Sequence, residues 1–164
     1  MSRIAHQCLS VSRLRRSALS TWRGCGCARP ETLDALPIGQ ANLIKHGEKV
    51  AILAFGTMLH TAQLAAEQAN ATLIDMRWVK PLDETLLHEL LKTHTHIVTV
   101  EDSCIAGGAG SAVAEWCAEN GYQPKILHVG LPDRFIDHGD VALLHARLGL
   151  DAQGIANTVA RWMV

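Results

Sequence analysis

A glycine cluster at positions 107–110 (Gly-Gly-Ala-Gly) is the part of this 164-residue chain that most directly suggests ligand binding. Backbone amides of a glycine-rich turn at a helix start can hold a phosphate group. The cluster nevertheless fails the dinucleotide fingerprint, which requires Gly or Ala where Val113 stands, and no Walker lysine follows it. Ser111 also lacks the flanking pattern of a serine-hydrolase elbow. We therefore expect the glycines to allow close packing of a helix on a sheet, with phosphate binding as their alternative role.

A second polar cluster, residues 130–139, reads Gly-Leu-Pro-Asp-Arg-Phe-Ile-Asp-His-Gly. The adjacent Asp137 and His138 could orient an imidazole as a general base. The Asp137–His138 pair alone identifies neither a nucleophile nor a substrate. Pro132 and the glycines at both ends favour a structural loop instead.

Two further pairs of residues could do chemistry. Glu101 and Asp102 are adjacent carboxylates at the end of a predicted strand, where α/β folds place active sites, although such residues more often cap a turn or face a partner domain. His94 and His96 would share one face of an extended segment and could bind a metal. No acid or cysteine completes that set, and exposed loop histidines explain the pair equally well.

The elements that must position these residues alternate along the chain. Short apolar runs predict strands at 50–55, 71–76, 96–100 and 125–129. Residues 41–45 are expected to add an edge strand that pairs with the first of these. Helical patterns cover residues 58–68, 83–92, 111–119, 140–148 and 151–162. This alternation predicts an α/β fold, with helices on both faces of a mixed, mainly parallel sheet of about five strands. Thr57 is the expected cap of the first helix.

Composition and charge divide the chain into two unlike segments. Residues 1–30 hold six of the 15 basic residues and no acid, whereas the remaining body holds all 16 acids. The formal charge of −1 is the sum over these two segments. Near-zero net charge argues against a nucleic-acid-binding protein. No apolar run approaches the length of about 20 residues that a membrane span needs. The hydrophobic fraction of 48% argues against a disordered chain.

The basic segment has the arginine- and serine-rich composition of an organelle transit peptide. It has no continuous apolar stretch of the kind that a secretory signal requires. The five cysteines, of which only Cys104 and Cys117 lie in the body, do not form a disulfide framework and indicate a reducing compartment. The alternative for this segment is out-of-frame sequence left by a truncated gene, which we favour.

Four stretches of the body carry a family resemblance. Residues 48–57, 75–83, 101–112 and 130–139 resemble, in order and spacing, the C-terminal domain of the 1-deoxy-D-xylulose-5-phosphate synthase family. The first three occur loosely across the transketolase-like superfamily, which includes the β subunits of 2-oxoacid dehydrogenases. The stretch 130–139 and the segment 148–154 are specific to the synthases. The resemblance extends from about residue 36 to the end.

The resemblance implies a fold and a role. Synthases of this family are dimers that use thiamine diphosphate and magnesium to condense pyruvate with glyceraldehyde 3-phosphate for isoprenoid synthesis. Their first two domains bind the cofactor and substrates, and their third, the one resembled here, contributes packing and dimer contacts. It is expected to be a three-layer αβα domain at residues 36–164, after an extension at 1–35. No catalytic, cofactor-binding or metal-binding residue is therefore expected in this chain.

The departure from the family lies upstream. The family's second domain ends in Arg-Tyr-Pro-Arg-Gly, whose arginine holds the substrate phosphate, whereas this chain has only Arg23-Gly24 at that place. We accordingly expect a domain fragment that is inactive alone, located in the cytoplasm, or in an organelle if residues 1–30 are a transit peptide. Its expected partners are the missing domains or a second copy, without nucleic acid or membrane.

Two other functions remain open. One is a stand-alone protein that binds phosphate or a nucleotide through the two loops, and the other is a subunit of a split synthase. The candidate interface or loop-structuring residues are Gly107, Gly108, Gly110, Asp133, Arg134, Phe135 and His138.

Overall fold

The computed structural model describes residues 35–163 of the chain. Within them lie five strands and five helices, in the order β1 (Asn42–Lys45), β2 (Val50–Ala54), α1 (Met58–Gln68), β3 (Thr72–Asp75), α2 (Glu84–Leu90), β4 (His96–Cys104), α3 (Ala109–Glu119), β5 (Lys125–Leu131), α4 (Val141–Leu148) and α5 (Ala152–Trp162). The predictions for the basic segment fall outside the described residues and stay predictions.

The five strands form one sheet in the order β1-β3-β2-β4-β5. Strand β2 pairs in parallel with both β3 and β4, and β4 pairs in parallel with β5. Because each parallel connection crosses over the sheet, the helices between the strands cover both of its faces. The expected α/β architecture with a mixed, mainly parallel sheet is confirmed.

The core consists of two apolar layers, one on each side of the sheet. All five residues of β2 are buried, as expected of a central strand that alternates its side chains between two covered faces. On one face Ile52 and Val98 pack with Met58 of α1 and Ile155 of α5. On the other face the strands pack with α2 and α3, where Trp116 is buried. The domain is therefore a three-layer αβα arrangement.

The partner predicted for the edge strand is wrong. Strand β1 pairs antiparallel with β3, through Asn42 opposite Asp75, and not with the first long strand β2. The physical reason is that both edges of β2 are already occupied by the parallel strands β3 and β4. The short strand β1, which exposes Leu43 and Ile44, is left at the outer edge.

Aspartates begin three of the five described helices. The side chains of Asp83, Asp140 and Asp151 accept backbone N–H groups at the starts of α2, α4 and α5. Thr57 occupies the predicted N-cap position of α1, but its side chain makes no such bond there. Its backbone already has helical dihedral angles, whereas capping residues are usually extended.

The helices of the described part are short. Between residues 35 and 163, none is both long and apolar enough to cross a membrane.

Candidate functional site

The carboxyl end of β4 carries a buried acid, Glu101, which is only 2% exposed. Its Oε2 accepts the N–H of Ala109 at 2.7 Å, and its Oε1 accepts the N–H of Gly110 at 2.9 Å. The hydroxyl of Ser103 also donates to Oε2. A carboxylate at a helix N-terminus is stabilised by the helix dipole and by the free amides there. These amides therefore serve the chain's own carboxylate and are not available to a phosphate group.

The glycines around this acid allow a close backbone approach. A Cβ atom on Gly108 would lie 2.3 Å from the carbonyl oxygen of Cys104 and 2.3 Å from Oε2 of Glu101. A Cβ atom on Gly130 would lie 3.0 Å from Cγ of Glu101. Gly107 has a φ of 70°, a backbone conformation that glycine adopts without steric cost.

A threonine–histidine pair lies beside Gly110. Thr99 and His128 are direct neighbours on β4 and β5, and Oγ1 of Thr99 lies 2.8 Å from Nδ1 of His128. A Cβ atom on Gly110 would come within 2.4 Å and 2.5 Å of these two atoms. The one signal of this pair in the sequence is a polar residue inside each of two apolar strands, which does not by itself predict a contact. The close approach of α3 to the sheet thus depends on a glycine at 110.

The adjacent acids do not act as a pair. Glu101 points into the domain, whereas the Asp102 side chain is 40% exposed and its Oδ1 lies 3.1 Å from Nε2 of His145. This contact joins the end of β4 to helix α4. A partly exposed side-chain contact of this kind contributes at most about 1 kcal/mol. The two carboxylates cannot share a proton or a metal in this arrangement.

An open cleft of about 390 Å³ lies beside the glycine turn, between Val79 and the start of α3. The hydroxyls on its wall already have partners within the chain. Ser111 donates to the carbonyl of Ile105 at 2.9 Å and accepts the N–H of Gly107 at 3.1 Å. Ser103 donates to Glu101. The wall thus offers a ligand few free polar groups.

The polar loop at 130–139 directs its side chains outward. Asp133, Arg134, Asp137 and His138 are all exposed, and Phe135 is 91% exposed. A cleft of about 210 Å³ separates the loop from α4. The general base suggested by Asp137 and His138 thus has no enclosed site in which to act.

The two histidines near β4 have separate partners. Nε2 of His94 lies 2.7 Å from Oγ1 of Thr72. The ring of His96 packs edge-on against Trp162, with 5.2 Å between ring centroids. In the described part of the chain, no three His, Cys, Asp or Glu side chains cluster so as to hold a metal ion.

A buried ion pair at the end of β3 was not found by sequence analysis. Oδ2 of Asp75 lies 3.4 Å from Nε of Arg77, and the two side chains are 2% and 4% exposed. Burial raises the pKa of the Asp75 carboxyl, and the nearby Arg77 charge opposes this effect. The signal in the sequence was an acid that closes an apolar strand, with an arginine two residues later. The pair fixes the backbone that leaves β3.

Residues 39–155 match the family model described as "Transketolase, C-terminal domain". This match covers most of the chain. The chain belongs to the transketolase C-terminal domain family. The three-layer sheet and the glycine turn described above are therefore features of a transketolase C-terminal domain.

Relatives of this transketolase C-terminal domain include 1-deoxy-D-xylulose-5-phosphate synthases. A 1-deoxy-D-xylulose-5-phosphate synthase of Pseudoalteromonas translucida is 52% identical over 127 residues, which cover 77% of this chain and 20% of that protein. The enzyme of the same name from Bordetella parapertussis is 52% identical over 136 residues, covering 83% and 22%. The match is to the C-terminal region of these synthases. The chain spans about a fifth of the length of these relatives.

Solved structures with the same fold include transketolases. A split-gene transketolase described as an inactive tetramer of beta subunits is 33% identical to this chain. Its TM-score is 0.69, and the match covers 77% of this chain and 43% of that one. A transketolase of Pichia stipitis has a TM-score of 0.50 at 16% identity and shows the fold alone. The family resemblance found in the sequence is confirmed.

Proposed function

We propose that this chain acts as the C-terminal domain of a thiamine-diphosphate-dependent 1-deoxy-D-xylulose-5-phosphate synthase, supplying packing and dimer contacts but no catalytic group. Identity of about half to the C-terminal region of such synthases supports this role. The observation that carries the proposal is that the Glu101 carboxylate is fully engaged within the chain. This buried acid stands where an α/β fold would place chemistry, and both of its oxygens are held by backbone amides of the same chain.

The glycine turn at the start of α3 does not fit the cofactor that the family implies. A diphosphate needs free backbone amides or basic groups, and its magnesium ion needs oxygen ligands such as carboxylates. The amides of Ala109 and Gly110 are bonded to Glu101, and no cluster of acids in residues 35–163 could hold a metal ion. We therefore assign thiamine diphosphate and magnesium to the other domains of the synthase.

A domain exchange tests the proposal. Residues 39–155 of this chain would replace the matching region of the Bordetella parapertussis synthase, and condensation of pyruvate with glyceraldehyde 3-phosphate would be measured. Because the exchanged domain supplies packing alone, we expect kcat within about tenfold of the parent, less than the loss of about a hundredfold or more that removal of one transition-state hydrogen-bond donor causes. The unmodified parent synthase is the control. A chimera with the thermal midpoint of the parent and no turnover would contradict the proposal.

A second candidate is the equivalent subunit of a synthase divided between two chains. The similar split-gene transketolase, described as a tetramer of beta subunits, favours this candidate. The two candidates share the same packing role and differ in covalent connection. Sequencing the gene together with its upstream reading frame distinguishes them, since a split synthase requires a second frame that encodes the cofactor-binding domains.

We further propose that residues 1–35 are an extension outside this domain, because the family match begins at residue 39. The two cysteines of the described part, Cys104 and Cys117, are free thiols, which supports a reducing compartment such as the cytoplasm.

A further inference from the structure

The cleft of about 210 Å³ between the loop after β5 and helix α4 has a mixed lining. Charged side chains line it from both sides, Arg134 and Asp137 from the loop and Arg147 from the helix. Phe135 of the loop and Leu144 of the helix add apolar surface. The cleft thus combines two basic groups with an apolar wall, which is a pairing that suits an anion with a carbon chain.

Neither arginine of this cleft is neutralised by a carboxylate. Within residues 35–163, no acid oxygen lies within 4 Å of a guanidinium nitrogen of Arg134 or Arg147. In the same part of the chain, Arg77 is paired with Asp75. Unpaired like charges around one concavity raise the local positive potential, and this favours an anion there.

The other acids of the loop have contacts elsewhere. Oδ1 of Asp133 lies 3.8 Å from Sγ of Cys104, and the side chain of Asp140 accepts two backbone N–H groups at the start of α4. Among the acids, Asp137 alone is part of the cleft lining, so two arginines face one aspartate there. The body as a whole is acidic, which weakens the binding of an anion, but the charge at the cleft itself is positive.

The backbone on both sides of the cleft is held in place. On the helix, Nε2 of His145 lies 3.1 Å from Oδ1 of Asp102, and Leu148 packs against the core. On the loop, the N–H of Arg134 donates to the carbonyl of Pro132 at 2.8 Å. The two arginines therefore start from fixed backbone positions, which lowers the entropic cost of binding a ligand between them.

The number of arginines and the size of the cleft select among anions. A guanidinium group binds phosphate or carboxylate through two parallel N–H···O bonds. One guanidinium suffices for the two oxygens of a carboxylate, whereas a phosphate monoester offers three oxygens and nearly two negative charges to a pair of arginines. The cleft is smaller than the roughly 300–1,000 Å³ of pockets for drug-sized ligands, so it is too small for a nucleotide or for thiamine diphosphate.

We propose that this cleft binds the phosphate group of a small organic phosphate. Arg134 and Arg147 hold the phosphate oxygens from opposite sides, and Phe135 and Leu144 contact the short carbon chain. The site is separate from the glycine turn, whose amides are bonded to Glu101. The inference goes beyond the packing role proposed above and does not depend on it.

An NMR titration of the purified chain tests the site. Propyl phosphate would be added to ¹⁵N-labelled protein at constant ionic strength while the amide shifts are recorded. We expect saturable shifts confined to residues 133–137 and 144–149, with a Kd of about 1 mM. Butyrate, a carboxylate with an equally short chain, should bind at least about tenfold more weakly. Equal affinities for the two anions, or a Kd for propyl phosphate above about 20 mM, would overturn the proposal.

Substitution of each arginine gives an independent test. Arg134→Gln and Arg147→Gln each remove one guanidinium from an exposed position, so the thermal midpoint should stay unchanged while the Kd for propyl phosphate rises at least about tenfold. Arg161→Gln, at an exposed position of α5 outside the cleft lining, is the matched control and should change the Kd by less than about twofold. Equal weakening by all three variants would show a response to overall charge alone and overturn the proposal.

Discussion

Glu101 and Gly110 are nine positions apart and meet at the start of α3. Oε1 of Glu101 accepts the N–H of Gly110 at 2.9 Å, and a Cβ atom on residue 110 would lie 3.1 Å from the same oxygen. Helix α3 consequently begins at Ala109, two residues before the start expected from the sequence. A long-range carboxylate takes the place of a local capping side chain.

Gly110→Ala tests the close approach of α3 to the sheet. The added methyl group would meet Thr99 and His128 at less than 2.6 Å, so we expect the free energy of unfolding to fall by about 2–3 kcal/mol. Urea unfolding monitored by far-UV circular dichroism measures the change. Gly139→Ala is the matched control, since its methyl group would make ordinary contact with Leu144 and change the stability by less than about 0.5 kcal/mol. Equal effects of the two substitutions would refute the packing argument.

Glu101→Gln tests the cap. The variant keeps the shape of the side chain but turns one acceptor oxygen into an N–H₂ donor that faces a backbone N–H. We expect a loss of about 1–3 kcal/mol in the free energy of unfolding. Glu115→Gln, at an exposed position of the same helix, should change the stability by less than about 0.5 kcal/mol. If Glu101→Gln left the free energy of unfolding unchanged, the carboxylate charge would not be needed at the helix start.

Asp75 makes a pH-dependent contribution to stability. As the pH rises, the unfolded chain loses the Asp75 proton first, at the usual pKa of 3.8, because burial raises the pKa of the folded carboxyl. The native state therefore binds more protons within that window, and the free energy of unfolding falls with rising pH. We expect the stability of the wild type minus that of Asp75→Asn to decrease from pH 3.8 upward and to level off above the folded pKa.

Urea titrations of both proteins across acidic and neutral pH measure this difference. An increase with pH would mean that pairing with Arg77 outweighs the effect of burial on the pKa of Asp75.

The two thiols of the described part should differ in reactivity. Burial raises the pKa of the Cys117 thiol, which is only 2% exposed, whereas Cys104 is partly exposed. We expect iodoacetamide to label Cys104 at least about tenfold faster than Cys117 in the native chain, since the exposed thiolate is the reactive form. Peptide mass mapping measures both rates, and Cys104→Ser assigns the fast phase. Equal rates would show that the layer around α3 opens readily.

Local patterns were sufficient to predict most elements of the fold. Helix α1 occupies the predicted span, and Asn70 has the positive φ of 46° expected where that helix stops. The position of β1 was not predictable in the same way. Its pairing depends on which edges of β2 are filled, and this is decided by crossovers that lie later in the chain.

The site was less predictable because its contacts join distant residues. A capping role for Glu101 was among the alternatives drawn from the sequence, but spacing alone could not assign that role to the start of α3, and it gave no contact between Thr99 and His128. A carboxylate that caps a helix eight residues later has no local signature.

Turnover of pyruvate by the isolated chain tests the central claim most directly. The purified protein would be mixed with thiamine diphosphate, magnesium, pyruvate and glyceraldehyde 3-phosphate, and carbon dioxide release would be measured against a blank without protein. We expect no release above the blank, because the polar groups at the carboxyl end of the sheet are bonded to each other. Release that depends on thiamine diphosphate would contradict the assignment of this chain as a packing domain.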